Sequence, residues 1–278
     1  MAAPSPWTHH RRSEVADDID FEIKGQELQF VEIELDPGES AVAEAGAMVW
    51  KDASIAMTTV FGDGSSSGSS GGFMGALLGA GKRLITGESL FTTVFTHEGS
   101  GKARVAFASP TPGSILPLRL ADLGGTSICQ KDSFLAAAKG VQIGIAFQRR
   151  VMTGLFGGEG FVMQRLDGDG WVFVQMGGTV VKRELRAGEE LHVDTGCLAA
   201  YTPSVDFDLV TVGGVRTMFT GGEGAFFARL RGPGTVWIQS LPFARLAGRM
   251  LQAAGGRGGN RGEGSVLGGL GDWVGGND

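Results

Sequence analysis

The run "GGEGFVMQRLDGDGWVFVQMGG", residues 157–178, decides the fold. Two short segments rich in β-branched and aromatic residues flank the turn "DGDG", and glycine fences both outer ends. Such runs read as strands, because glycine accepts positive φ at tight turns without steric cost. Two strands joined by so short a turn predict an antiparallel hairpin.

The pattern occurs three times. "SLFTTVFTH" (89–97) precedes "KARVAFAS" (102–109), and "AFFARL" (225–230) precedes "TVWIQSL" (235–241). The tips carry Gly99/Gly101, Gly168/Gly170 and Gly232/Gly234. A Gly-Glu pair opens the first strand each time, as Gly87-Glu88, Gly158-Glu159 and Gly222-Glu223, with the tip glycine 11, 9 and 9 residues beyond the Glu. A difference of two leaves every inward side chain inward. A second element recurs out of phase: "LDPGESAVAEAGAMVW" (35–50), "ICQKDSFLAAAKGVQI" (128–143) and "LRAGEELHVDTGCLAA" (185–200), the middle copy matching least well. The expectation is one triplicated all-β domain over 21–248, in units near 21–116, 117–183 and 184–248, arranged as a pseudo-threefold body of β-sandwich modules.

Composition limits what surrounds this body. Forty-eight glycines against nine prolines fit many tight turns between short strands. A net charge of -6 opposes generic nucleic-acid coating, which depends on Lys and Arg neutralising phosphates. Cys129 and Cys197 show no metal-ligand or disulfide spacing and read as ordinary thiols. Residues 1–20 lack the apolar core of a secretory signal and are expected to be a disordered leader, and no apolar run is long enough to span a bilayer. "LPFARLAGRMLQAA" (241–254) places Phe243, Leu246, Ala247, Met250 and Leu251 at helical spacing, predicting one short helix packed on the β core. The stretch 249–278 holds the end of that helix and a glycine-rich tail with a single Arg-Gly-Gly, expected to be disordered and solubilising.

Candidate chemistry is sparse. Gly81-Lys82 evokes a phosphate loop, but Ala76 and Arg83 stand where a glycine and a Ser/Thr are required, and no strand leads in. Gly64-Ser65-Ser66-Ser67-Gly68 matches a nucleophile elbow by composition alone. His97 and His192 are unpaired in sequence, and Glu190, His192 and Asp194 read as one solvated strand face. Glu88, Glu159 and Glu223 have two readings: a carboxylate cluster on the threefold axis, or the preferred one, repeated acceptors that fix strand entry. No cofactor, metal or catalytic residue is assigned. Phe73, Met74, Leu77 and Leu78, in the insertion 62–86, form an apolar turn suited to touching a partner.

"AEAGAMVW", "KRLITGESLFTTVF", "GGEGFVMQRLDGDGWVFVQMGG" and "FTGGEGAFFARLRGPGTVWIQS" together resemble the altered-inheritance-of-mitochondria protein 24 family, across about 21–245. That resemblance implies a triplication of the module seen in the trp RNA-binding attenuation protein, a short relative of the double-stranded β-helix. It implies a scaffold or interaction protein rather than an enzyme, linked to membrane or organelle organisation. Self-association or a protein partner is expected, with peripheral membrane contact as a further mode. The location would be cytoplasmic in a bacterium and mitochondrial in a eukaryote. The alternative is a small-ligand or RNA-binding β module.

Overall fold

In a computed structural model the chain is described over residues 15–61, 91–149, 161–211 and 226–255. Glycine-fenced runs become short strands throughout. Strand β1 (Asp20–Lys24) precedes a first group: β2 (Phe30–Leu35), β3 (Ser40–Glu44), β4 (Met48–Lys51), β5 (Ile55–Phe61), β6 (Phe91–His97) and β7 (Ala103–Ala108). A second group holds β8 (Gly113–Arg119), β9 (Thr126–Gln130), β10 (Phe134–Ala138), β11 (Gln142–Arg149), β12 (Phe161–Asp167) and β13 (Trp171–Gly177). The third holds β14 (Val180–Leu185), β15 (Glu190–Asp194), β16 (Leu198–Tyr201), β17 (Asp206–Thr211), β18 (Phe226–Arg231) and β19 (Gly234–Gln239), and helix α1 (Phe243–Gly255) follows.

These strands build antiparallel sheets in the orders β1-β2-β7-β4, β5-β6-β3-β10-β13-β8, β11-β12-β9-β16-β19-β14 and β15-β18-β17. The connectivity is the same in each group. The first, sixth and third strands form one half-sheet, and the fourth, fifth and second form another. Neighbouring groups fuse where the second strand of one bonds to the third strand of the next, β3 to β10 and β9 to β16.

The expected hairpins are therefore corrected. β6 bonds to β3 and β5, whereas β7 bonds to β2 and β4, and the same separation divides β12 from β13 and β18 from β19. Each Gly-x-Gly turn carries the chain from one sheet to another. Alternation and turn glycines specify extended chain and a sharp corner, but not which edge receives the backbone hydrogen bonds. The corners use positive φ at Gly101 (75°), Gly168 (145°) and Gly234 (149°). The sequence-adjacent strands that do pair around the Gly-Glu segments are β5 with β6, β11 with β12 and β17 with β18.

The middle copy of the second motif is also corrected. Ala136 of β10 lies opposite Ala43 of β3, and Ala200 of β16 lies opposite Cys129 of β9, so β9 is the counterpart of β3. The quoted segment 128–143 starts inside β9 and matches its β10 to β3, one strand late. A 3-10 turn at Leu120–Leu123 lengthens the β8–β9 connection to 120–125, against 36–39 and 186–189 elsewhere, which masks the correspondence.

Burial follows the fusions. All five residues of β10 and all four of β16 are buried, since another half-sheet continues beside each strand and layers cover both faces. Their small side chains suit this two-sided packing. Ile33, Leu35, Phe95, Phe107 and Phe173 pack in the first core cluster, and Leu166, Val172, Phe134 and Trp237 in the second. Phe161, Met163, Leu198 and Leu230 occupy the third.

Helix α1 forms at the expected place, but its apolar face is not sunk into the core. Phe243 is 54% exposed, Met250 62% and Leu251 73%, while Leu246 and Ala247 are half-buried. Periodicity establishes amphipathicity and says nothing of what covers the apolar side.

A polar cleft at the ends of the strands

The strand fusions bring several polar side chains to one place. Glu44 ends β3 and Gln130 ends β9, both as the last residue of equivalent strands. With Asp132, Gln175, Gln239 and the first turn of α1, they line a cleft of about 180 Å³. Gln175 and Gln239 sit at matching positions on β13 and β19 and make matching bonds. The Gln175 Nε2 donates to the Asp132 carbonyl at 2.9 Å, and the Gln239 Nε2 donates to the Gly196 carbonyl at 3.0 Å. Gln239 Oε1 also accepts from the Gly177 N–H at 2.9 Å, tying the second group to the third.

Two features of this cleft are costly. The carboxyl of Glu44 is pushed up to about 7, first by burial and then by the negative charge of Asp132, with Lys131 acting the other way. The amide oxygens of Gln130 and Gln175 are buried and have no hydrogen-bond partner among the described residues. An unmet buried acceptor costs about 1–3 kcal/mol. Together they form an acceptor-rich recess suited to a ligand presenting N–H or ammonium donors. Nothing in the residue types singled these three out beforehand. The available signal was a polar residue closing a small-residue strand, in "SAVAE" and "TSICQ".

Gly87, Glu88, Gly158, Glu159, Gly222 and Glu223 lie outside the described residues, as do Phe73, Met74, Leu77, Leu78 and the segments 64–68 and 81–83. His97 is buried and structural: its Nδ1 accepts from the Gly99 N–H at 3.3 Å, leaving Nε2 to donate to the Gly101 carbonyl at 3.0 Å. Glu190 and His192 stand on one exposed strand face, their side chains 2.9 Å apart. Among the described residues no three His, Cys, Asp or Glu side chains converge as a metal site. No described helix is long and apolar enough to cross a membrane.

Known proteins place this architecture. The chain is 30% identical over 230 residues to an uncharacterised protein of Streptococcus pyogenes serotype M6, covering 82% of this chain and 87% of the relative. Its fold is similar to the X-ray crystal structure of a Streptococcus pyogenes protein, with a TM-score of 0.67 and 26% identity, covering 84% of this chain and 99% of the other. The model of the family described as Mitochondrial biogenesis AIM24 matches residues 21–241. With that match spanning most of the sequence, the chain belongs to the AIM24 family.

Proposed function

We propose that this protein is a non-enzymatic scaffold that docks on a membrane surface through α1. The observation that carries the reading is the bare apolar face of the helix, formed by Phe243, Met250 and Leu251. On a helical wheel these three share one side, and Arg245 and Arg249 fall on the other. A basic amphipathic helix with an uncovered apolar face is suited to lie in the headgroup region, its apolar side in the acyl boundary and Arg249 toward anionic lipid, while Arg245 is held 3.5 Å from the Asp194 carboxylate of the body. The family's description, mitochondrial biogenesis, is compatible with work at an organelle membrane. The apolar stretch 73–78, which lies outside the described residues, belongs to the same reading as a second contact.

Flotation with vesicles of phosphatidylcholine and phosphatidylglycerol tests it. The full chain is expected to float, and the F243S/M250S/L251S variant to remain at the bottom of the gradient with its thermal transition unchanged. Equal flotation of both proteins, or of neither, overturns the reading.

The cleft supports a second reading, a small-ligand module. Glu44, Gln130 and Gln175 present acceptors and a carboxyl that titrates near neutrality, so an amine is the favoured ligand class. A ligand that binds only the folded state raises the midpoint, and the rise grows with the logarithm of ligand concentration above its Kd. A thermal-shift screen of small amines, repeated on Glu44→Gln, supports this reading if a shift appears and is lost in the variant.

A further inference from the structure

We infer that the protein assembles head to tail, with β15 of one copy bonded to β4 of the next. Two joints of one kind already exist inside the chain. In each, the second strand of a group pairs with the third strand of the following group. The same rule leaves two strands unmatched: β4, the third strand of the first group, and β15, the second strand of the last. Both end their sheets, and among the described residues each bonds on one side only, β4 to β7 and β15 to β18.

The register can be read in advance. β4, β10 and β16 carry the same irregularity against their partners, between Met48 and Trp50, Phe134 and Ala136, and Leu198 and Ala200. Trp50 thus corresponds to Ala136 and Ala200. On the other side, Ala43, Cys129 and Val193 are each the fourth residue of a five-residue strand. Ala136 faces Ala43 and Ala200 faces Cys129, so Trp50 faces Val193 across the new joint. Ala137 faces Val42 and Tyr201 faces Ile128, so Lys51 faces His192. The irregularity does not blunt this edge, since both strands that share it pair fully.

Exposure and charge agree with an unfilled joint. β10 and β16 are buried along their length, whereas Met48 is 36% exposed, Val49 55% and Trp50 36%. A bare apolar edge is a template for another strand unless something covers it. Lys51 would arrive beside the Glu190 carboxylate, which already sits 2.9 Å from His192. Of the other sheet ends, β5, β11 and β17 are edges in every group, whereas β8 and β14 are the counterparts of β2, whose outer side β1 of the same chain covers. Among the described residues the joint from one strand group to the next, second strand to third, is the one that β4 and β15 can repeat. The occupant of the β4 edge is therefore a second copy of this chain, presenting β15. This inference goes beyond membrane docking, which uses α1.

Light scattering of the full chain without vesicles provides the first measurement. The wild type is expected as a concentration-dependent multiple of 29.0 kDa. Lys51→Glu is expected to shift it toward single chains by setting like charge against Glu190, and K51E/E190K to restore the assembly. In a C197S background, mixing chains carrying K51C with chains carrying H192C is expected to yield a disulfide-linked dimer under mild oxidation. A wild type of 29.0 kDa at every concentration overturns the inference. So does an assembly unaffected by K51E in which the mixed cysteine chains do not cross-link. Loss of vesicle flotation with the assembly intact would count against membrane docking alone.

Discussion

Ala136 of β10 stands opposite Ala43 of β3, and this pair of small, fully buried residues joins the first strand group to the second. Ala43 is fully buried, so a larger side chain there must displace its neighbours. Ala43→Leu is expected to destabilise the fold by about 1–3 kcal/mol, the usual cost of overpacking. The midpoint of urea denaturation would report it, with the slope unchanged because the surface exposed on unfolding is similar.

Gly99 leaves room for the buried ring of His97. A Cβ at Gly99 would come 2.8 Å from the Cβ of Ser54 and 2.9 Å from Cε1 of His97, too close for either to remain in place. Gly99→Ala is expected to weaken both ring hydrogen bonds and lower the melting temperature. His97→Ala removes both bonds, each worth about 0.5–1.5 kcal/mol because the exposed Gly99 and Gly101 can turn to water instead. Amide hydrogen exchange at residue 99 should accelerate in both variants.

Glu44 links stability to pH. Its folded pKa of about 7 lies above the ordinary 4.5, so the folded state holds a proton that the unfolded chain releases across that interval. Stability from this group is greatest below pH 4.5 and falls as pH rises towards 7. Glu44→Gln removes the ionisation. The variant should gain on the wild type as pH increases, by up to about 3 kcal/mol above pH 7, and the difference should disappear in acid. Parallel urea titrations at pH 4, 6 and 8 would reveal this; a constant offset across the range would contradict it.

The two thiols should differ in reactivity. Cys129 is wholly buried and its pKa is pushed up to about 12, whereas Cys197 is partly exposed, its pKa raised by burial and then by Asp194. Thiolate is the reactive form. In native protein, Ellman's reagent should modify Cys197 slowly and leave Cys129 untouched until denaturant is added.

Much of the strand content was legible locally. "KARVAFAS", "WVFVQM" and "AFFARL" become β7, β13 and β18 within a residue or so, because glycine fences and β-branched runs act over a few positions. The cleft was not legible. Glu44, Gln130, Gln175 and Gln239 come from four strands and acquire their shared environment only when the groups fuse. Glu44 in particular has an ordinary sequence context, and burial with Asp132 nearby gives it an altered titration.

By itself, the sequence determined a mostly β chain with a short helix near 241–254 and a thrice-repeated corner at Gly99/Gly101, Gly168/Gly170 and Gly232/Gly234, since turn chemistry and side-chain alternation are local properties. Only the tertiary structure decided that these corners pass between sheets, that β3 and β9 recruit the following group's β10 and β16, and that β4 and β15 pair on one side only among the described residues. Those choices depend on which backbone groups meet across distant segments, and an edge donor or acceptor is the same whatever side chain it carries.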